Sequence, residues 1–216
     1  MTARIMIVDD DPLVRSGLRL LLGGDPGLDI VAEAANGQEA LDKHRDGPVD
    51  LVLMDLRMPV LDGIAATGRF KTLPTPPAVI VLTTFDADDF VVRALAMGAD
   101  GFLLKDTAPD EIVAAIHDVL AGRPALSPSV TAALIKQVVS VGGARSASAA
   151  SRIQSLTARE HDVAVELARG ASNAEIAERL YMSLATVKAH ISHIFTKLDA
   201  ANRVQVAIVM HDAEVV

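Results

Sequence analysis

Short unbroken runs of apolar residues recur through the first 122 residues, and most of them end at a charged or hydroxyl side chain. The runs lie within the segments 5–8, 29–33, 51–54, 78–84 and 101–105, and the second, which is only three residues long between Asp29 and Glu33, is the weakest. Between them, apolar residues return at helical spacing, as Leu18, Leu21 and Leu22 do. Continuous apolar runs are typical of strands buried on both faces of a parallel sheet. The alternation therefore predicts an α/β fold, a flavodoxin-like doubly wound sheet of five parallel strands in the order 2-1-3-4-5.

The alternation stops after residue 122. A helix is predicted from Pro128 to about Val139, and the small polar stretch 142–151 has the composition of a flexible linker. From residue 156 the pattern is purely helical, and it begins with Thr157 and Glu160 at the spacing of a capping box. We therefore divide the chain into a first domain at 1–122, a linker with one helix at 123–155, and a small all-α domain of four helices at 156–216.

Composition narrows the range of functions. The chain has no cysteine, which excludes disulfides, cysteine metal sites and thiolate catalysis. No apolar run is long enough to span a membrane, and the first residues lack the layout of a secretory signal, so we expect a cytoplasmic protein that does not engage membranes. Residues 1–121 carry a net charge of −10 and residues 122–216 a net charge of +2, which together give the −8 of the whole chain. This asymmetry indicates two domains with different partners.

Charged and hydroxyl side chains stand at the ends of the predicted strands. They are Asp9 and Asp10 after the first, Asp55 after the third, Thr83 at the end of the fourth and Lys105 after the fifth. In an open α/β sheet these ends meet at the edge where ligands bind. Clustered carboxylates favour Mg²⁺, and with Lys105 and Thr83 they would form a phosphoryl-transfer site whose nucleophile is Asp55. Each aspartate taken alone could be a solvated loop cap, but their placement in successive units disfavours that interpretation.

At these positions the sequence resembles the receiver domain of two-component response regulators. The resemblance covers about residues 4–121 and rests on Val8-Asp9-Asp10, Met54-Asp55-Leu56-Arg57-Met58-Pro59, Asp62-Gly63, Thr83 and Lys105-Asp106. It implies that Asp9 and Asp10 hold Mg²⁺ and that Asp55 accepts phosphate from a sensor histidine kinase. It also implies that Thr83 and Lys105 contact the phosphoryl group, and that Thr83 shifts towards it as one of the switch residues.

Two further roles follow from the resemblance. Arg57 lies two residues beyond Asp55. In the family, the residue at this position contributes its backbone carbonyl to the metal, alongside the phosphoacceptor aspartate. Phe102 lies three residues before Lys105, at the position of the family's switch aromatic. Phenylalanine has no hydroxyl group, so any inward rotation of Phe102 would depend on packing alone. An ordinary core residue is the alternative interpretation of Phe102.

Residues 171–197 have the proportions of a helix-turn-helix unit, which places its second helix in the major groove of DNA. Helical patterning alone would also describe a small bundle without nucleic acid. The segments 156–160, 170–177 and 183–191, however, closely resemble the LuxR-type DNA-binding domain. A receiver joined to this domain is the layout of NarL/FixJ-type response regulators. The resemblance implies that the third helix of the domain reads double-stranded DNA and that the fourth contributes to dimerisation.

Outward positions of the third helix are the candidate DNA contacts. They are Thr186 for a phosphate, Lys188 for a base or phosphate, Ala189 and Ser192 for bases and Lys197 for a phosphate. This helix is weakly basic, so binding as a dimer to two operator half-sites would compensate for low monomer affinity. His190 and His193 are not accompanied by further metal-binding side chains, and we predict no zinc site.

We therefore expect a transcription regulator that is switched by phosphorylation of Asp55, and not an enzyme. One alternative is a regulator of the same architecture that does not use phosphate, which the intact acidic set disfavours. A second is a phosphotransferase or phosphatase that uses Asp55, but Arg57 stands where such enzymes place a second carboxylate. A third is a ligand-sensing regulator of the quorum type, which the receiver-like first domain and the absence of tryptophan disfavour.

Overall fold

The computed structural model describes residues 2–84, 88–126, 131, 146–213 and 215–216. Its sheet consists of β1 (Ala3–Val8), β2 (Leu28–Ala34), β3 (Leu51–Met54), β4 (Ala78–Thr83), β5 (Gly101–Leu104) and β6 (Ala125–Leu126). The helices of the first domain are α1 (Pro12–Leu22), α2 (Gly37–Asp46), α3 (Gly63–Lys71), α4 (Asp88–Ala96) and α5 (Pro109–Leu120). The strands are all parallel, in the order β2-β1-β3-β4-β5-β6. The predicted flavodoxin-like fold is thus confirmed.

Alternating residues of β1 show how the sheet is covered on both faces. Ile5 and Ile7 pack into a core with α1 and α5, whereas Met6 and Val8 pack into a second core with α2 and α3. All four side chains are buried, since successive residues of a strand point to opposite faces. A third cluster joins α4 to the sheet around Phe102. This double burial explains why the strands are continuous apolar runs.

The structure corrects the sequence prediction in the region between the domains. Within the described residues the sheet has six strands rather than five, because residues 125–126, inside the predicted linker, pair with β5. A two-residue strand is too short to show any periodicity in sequence. The prediction of a flexible stretch over 142–151 is wrong for its second part, because Ser146–Ile153 form a helix, α6, in which Ala149 is buried. The helix predicted from Pro128 to about Val139 lies outside the described residues, apart from Thr131.

The second domain is helical, as predicted. After α6 come α7 (Ala158–Ala168), α8 (Asn173–Arg179), α9 (Leu184–Lys197) and α10 (Arg203–Asp212). Thr157 with Glu160, and Ser172 with Glu175, form complete capping boxes that start α7 and α8. A core that includes Val163, Ile176, Val187, Ile194 and Val206 holds these helices together. No helix in the described part of the chain is long and apolar enough to cross a membrane.

The two domains are in contact where the C-terminal end of α4 faces the N-terminal end of α10, and also where the Asn173 amide, at the start of α8, donates to the Ala121 carbonyl (3.4 Å) at the end of α5. The Asn202 amide donates hydrogen bonds to the carbonyl oxygens of Leu95 (3.0 Å) and Ala99 (2.7 Å). The Gln205 amide donates to the carbonyls of Leu95 (2.9 Å) and Ala96 (3.0 Å). Carbonyls in the last turn of a helix have no donor within the helix. The Asn202 and Gln205 side chains therefore supply hydrogen-bond donors to carbonyl oxygens at the C-terminal end of α4.

Candidate functional site

Parallel register brings the predicted acidic residues to one edge of the sheet. Val8 and Met54, the last residues of β1 and β3, are paired neighbours, so Asp9 and Asp55 leave the sheet side by side. The Asp55 amide donates to the Val8 carbonyl oxygen at 2.8 Å, which extends the ladder by one residue. On the other side of β3, the Lys105 amide donates to the Thr83 carbonyl at 2.8 Å. The structure thus gathers Asp9, Asp55, Thr83 and Lys105 at adjacent strand ends.

Lys105 bridges the two carboxylates at this edge. Its ammonium nitrogen lies 2.5 Å from Asp9 Oδ2 and 3.0 Å from Asp55 Oδ1. The other carboxylate oxygens accept backbone hydrogen bonds, Asp9 Oδ1 from the Asp11 amide (3.0 Å) and Asp55 Oδ2 from the Arg57 amide (2.8 Å). Each carboxylate oxygen therefore has a donor. This network fixes the orientation of the Asp55 carboxylate before any ligand arrives.

The electrostatics of the edge follow from its burial. Asp55 is only 6% exposed, and desolvation raises the pKa of its carboxyl group although Lys105 acts in the opposite direction. Burial also works against the charge of Lys105, but its hydrogen bonds to Asp9 and Asp55 outweigh that effect and raise the pKa of the ammonium group. One cation thus compensates two crowded anions. A further positive charge at this edge would be favourable for the same reason.

The oxygen-rich edge has donor types that Mg²⁺ prefers, namely carboxylates and a backbone carbonyl. Asp9 is buried, whereas the side chain of Asp10 is exposed and Arg57 lies in the loop after Asp55. Within the described ranges, no three histidine or acidic side chains form a ready-made metal cluster. Asp9 and Asp55 are engaged by Lys105 instead. The residues fit a hard cation that retains several waters and shares the carboxylates with Lys105.

The two predicted switch residues are both buried. Thr83 is 1% exposed at the end of β4, and Phe102 is 0% exposed in β5. Phe102 packs in the cluster that holds α4 on the sheet, with Val91, Ala94 and Leu95 among its members. Its surroundings are apolar, so rotation of its ring would require neighbouring side chains of α4 to move as well. The structure therefore links any movement of Phe102 to α4.

Gly63 is needed for the loop beside Asp55. A Cβ atom at this position would lie 2.0 Å from the carbonyl oxygen of Asp55 and 3.0 Å from the Cα of Leu56. The Gly63 amide donates to the Leu56 carbonyl at 3.0 Å, so the start of α3 sits directly against the loop. No larger residue can approach the backbone so closely. The sequence motif Asp62-Gly63 has this steric cause.

Sequence reasoning missed a contact between the Asp55 loop and α4. The guanidinium carbon of Arg57 lies 5.5 Å from the centre of the Phe90 ring, within the range of a cation–π interaction. An open cavity of about 340 Å³ adjoins the pair, and its lining includes Asp62 and Arg93. Phe90 lies in the first turn of α4 with a half-buried side chain. No periodicity in the sequence reports a contact between two segments so far apart.

The predicted DNA-reading helix is α9, and most of its outer face is accessible. Ser183 starts the helix by accepting a hydrogen bond from the Thr186 amide at 3.0 Å. The side chains of Lys188, Ala189 and Ser192 are exposed. The N-terminal part of α9, which enters the major groove in a helix-turn-helix, thus carries the candidate base contacts on its surface. The receiver lies near the other end, since an interdomain cleft of about 420 Å³ is lined in part by Thr196 and Pro77.

Two of the predicted phosphate contacts already have partners within the protein. The Lys197 ammonium lies 2.6 Å from a carboxylate oxygen of Glu160, a residue that is 4% exposed. The Thr186 hydroxyl lies 2.7 Å from that of Ser183 at the start of α9. Sequence reasoning recognised Glu160 as a capping residue but missed its contact with Lys197.

Tyr181, 97% exposed in the turn before α9, has a φ of 54°, a conformation that asparagine or glycine adopts more easily.

The first domain therefore has the fold and the acidic edge of a phosphoacceptor receiver, and the second presents a helix-turn-helix with accessible candidate contacts. This combination defines a class, that of two-domain DNA-binding regulators. Comparison with known proteins agrees with this assignment. Residues 5–117 match the model of the response regulator receiver domain, and residues 154–210 match that of bacterial regulatory proteins of the luxR family.

Individual relatives match along nearly the whole chain. The transcriptional regulatory protein LnrK of Bacillus subtilis is 40% identical over 208 residues, which cover 95% of this chain and 94% of the relative. The nitrate/nitrite response regulator NarL of Escherichia coli is 32% identical over 213 residues, covering 99% and 97%. The crystal structure of the response regulator ChrA, from a haem-sensing two-component system, is 33% identical and aligns with a TM-score of 0.54 over 100% of this chain and 99% of that one. The chain belongs to the response regulators that join a receiver domain to a LuxR-type DNA-binding domain, and it is a transcriptional regulator of a two-component system.

Proposed function

We propose that Asp55 is the phosphoacceptor of this regulator and that the donor is a phosphohistidine of a sensor kinase. The observation that carries the proposal is the bridge from Lys105 to Asp9 and Asp55, at 2.5 and 3.0 Å. It holds a buried carboxylate in one orientation at the ligand-binding edge of a doubly wound sheet. It also supplies the positive charge that a phosphoryl group would meet on arrival.

The transfer uses groups of this chain in distinct roles. A carboxylate oxygen of Asp55 attacks phosphorus to form an acyl phosphate, while the bond from phosphorus to the histidine nitrogen breaks and that nitrogen keeps the electron pair. Lys105 neutralises phosphoryl oxygens, and the Thr83 hydroxyl donates to one of them. Asp9, Asp10, Asp55 and the Arg57 carbonyl would hold Mg²⁺, which supplies further charge neutralisation when bound. The reaction modifies the regulator itself, so we propose a switch and not a turnover enzyme.

The output is binding to double-stranded DNA in the cytoplasm as a dimer on two operator half-sites. Candidate contacts come from α9, with Lys188, Ala189 and Ser192 accessible in this structure and Thr186 and Lys197 at its two ends. The added phosphoryl group brings about one to two negative charges to the sheet edge. Since α4 touches both the sheet and α10, a change at this edge can shift the balance between a closed form, in which α4 contacts α10, and an open form that dimerises.

Phosphorylation can be tested with a small-molecule donor. Wild-type protein is incubated with acetyl phosphate, with and without Mg²⁺, and its intact mass is measured. We expect one phosphoryl group per chain only when Mg²⁺ is present, and none on Asp55→Asn. Dimer mass and operator affinity, measured on the same samples, should rise with the phosphorylated fraction. Phosphorylation of the Asp55→Asn variant to the wild-type extent, or wild-type protein that gains no mass, would refute the proposal.

A further inference from the structure

The Asp55 loop and α4 are joined by Arg57. Its backbone amide donates to Asp55 Oδ2 at 2.8 Å, while its guanidinium lies 5.5 Å from the centre of the Phe90 ring. A single residue thus contacts the phosphoacceptor through its backbone and the first turn of α4 through its side chain. Phe90 packs in turn against the buried cluster around Phe102. Arg57 and Phe90 thus form a chain of contacts from the phosphoacceptor loop to the cluster that holds α4 on the sheet.

The opposite end of α4 is held by the second domain. Carbonyl oxygens at this end, those of Leu95, Ala96 and Ala99 just beyond the helix, accept hydrogen bonds from Asn202, the N-cap of α10, and from Gln205 in its first turn. α4 is a helix of 9 residues, so a displacement of its first turn as a rigid body would also move its last turn. The helix is thus in contact with the acidic edge through Phe90 and with α10 through its last carbonyls.

Phosphorylation changes the competition for the Arg57 side chain. The carboxylate of Asp55 would be replaced by an acyl phosphate with more negative charge and three acceptor oxygens. Hydrogen bonds between ionised partners are roughly twice as strong as neutral ones, whereas a cation–π contact at an exposed site is weak. The adjoining open cavity gives the exposed Arg57 side chain room to turn. The phosphoryl group can therefore draw the guanidinium away from Phe90.

We propose that Phe90 is a positioning residue that senses phosphorylation of Asp55 through Arg57 and transmits it along α4 to the contact with Asn202 and Gln205. This inference rests on Asp55 being the phosphoacceptor. It provides a route that requires no hydroxyl group on Phe102, whose ring is fully buried. In the unphosphorylated protein, Arg57 stacks on Phe90 and α4 keeps its hydrogen bonds to Asn202 and Gln205. In the phosphorylated protein, Arg57 leaves the ring and α4 is freed to shift.

The absence of tryptophan from the chain allows a direct test. Phe90→Trp preserves, and should strengthen, the cation–π contact, and it introduces the only indole fluorophore of the protein. Emission of the full-length variant is recorded before and after acetyl phosphate and Mg²⁺, with intact mass as the measure of phosphorylation. We expect an emission change that rises with the phosphorylated fraction. The change should be absent from Phe90→Trp/Asp55→Asn and much reduced in Phe90→Trp/Arg57→Gln.

Substitutions that preserve packing test the output. Phe90→Leu keeps an apolar side chain in the cluster but removes the ring, and Phe90→Tyr retains the ring. Phe90→Leu should accept phosphate at the wild-type rate, yet the unphosphorylated variant should bind operator DNA about two- to fivefold more tightly than wild type. Phe90→Tyr should behave as wild type. If the tighter operator binding results from the lost contact between Arg57 and Phe90, the double variant Phe90→Leu/Arg57→Gln should bind operator DNA no more tightly than Phe90→Leu alone.

The outcomes separate the inference from the function on which it rests. Wild-type protein that gains no phosphoryl mass would contradict the phosphoacceptor role of Asp55. Wild-type protein that is phosphorylated normally, while Phe90→Trp emission stays constant or changes equally with Arg57→Gln, would overturn only the role of Phe90. Equal ratios of phosphorylated to unphosphorylated operator affinity in Phe90→Leu and wild type would overturn it as well.

Discussion

Asn202→Asp should open the contact between the two domains without weakening the helix that Asn202 caps. Asn202 Oδ1 accepts a hydrogen bond from the Gln205 amide at 2.9 Å, and its amide nitrogen donates to the carbonyls of Leu95 and Ala99. Aspartate retains the acceptor and is an equally good N-cap. It cannot donate to the two carbonyls. The substitution therefore separates the capping role from the bridging role.

The size of the effect follows from these contacts. Each lost hydrogen bond contributes about 1 kcal/mol, so the loss of two contributes about 2 kcal/mol. The aspartate carboxylate would also lie in a fully buried position against the C-terminal carbonyls of α4. A negative charge at that end of a helix is unfavourable by up to ~1 kcal/mol. Together these terms shift the closed-to-open ratio on the order of a hundredfold towards the open form.

Distance measurements between labelled domains can detect this shift. The chain has no cysteine, so Asp46→Cys and Glu178→Cys, both at exposed positions, introduce a single donor–acceptor pair across the two domains. Single-molecule energy transfer then gives the populations of closed and open forms. We expect a predominantly closed population in the labelled parent protein and a closed-to-open ratio about a hundredfold smaller after Asn202→Asp, so that a parent that is about 99% closed becomes about half open.

Two further variants decide whether the hydrogen bonds are responsible. Gln205→Glu likewise retains an acceptor for the Ala201 amide and loses the donors to Leu95 and Ala96, so it should also open the contact. Asn36→Asp makes the same chemical change at a helix cap inside the first domain and should leave energy transfer unchanged. An unchanged distance distribution in both Asn202→Asp and Gln205→Glu would refute the reasoning, as would an equal shift in Asn36→Asp.

Three other predictions concern the separate sites. Mg²⁺ at about ten times its Kd should raise the free energy of unfolding of the receiver by about 1.4 kcal/mol. Asp9→Asn should abolish this gain. If Mg²⁺ did not raise the Tm of the wild-type protein, the metal site would be contradicted. Lys188→Ala should weaken operator binding and lower the slope of log affinity against log salt by about 1, and an unchanged slope would exclude a phosphate contact. Glu160, whose pKa is lowered from 4.5 to about 2 by Lys197 and the Thr157 amide, stabilises the domain only when ionised. Glu160→Gln should therefore cost about 2 kcal/mol at neutral pH, and urea unfolding should show this cost shrinking as the pH falls from 4.5 towards 2; a difference independent of pH would refute it.

The sequence was most informative where structure is repetitive. Apolar runs predicted β1, β3, β4 and β5 because a doubly buried strand has no polar face to obscure the pattern. Residues such as Asp55 and Lys105 could be assigned to one edge because all strands of a parallel sheet end there. The capping box of Thr157 and Glu160 predicted the start of α7, since both partners of a box lie within four residues of each other.

Contacts between distant segments gave no comparable signal. The amide of Asn202 meets Leu95 across more than a hundred positions in the chain, and no local pattern specifies such a pair. Lys197 looked like a free cation on the helix surface, but folding brings Glu160 of α7 against it. The strand at 125–126 was missed because it exists only through pairing with β5. Tertiary structure, rather than local preference, determines all of these features.

The contact between α4 and α10 is of a size suited to a switch. Its four hydrogen bonds, at about 1 kcal/mol each, contribute about 4 kcal/mol before the cost of holding two domains together. A two-state equilibrium that is 99% closed requires only about 2.7 kcal/mol. Loss of one or two of these bonds, after a small displacement of α4, would therefore be enough to redistribute the population. A larger apolar interface would stay closed under the same perturbation, so we propose that the polar character of this contact makes it sensitive to a single phosphoryl group on Asp55.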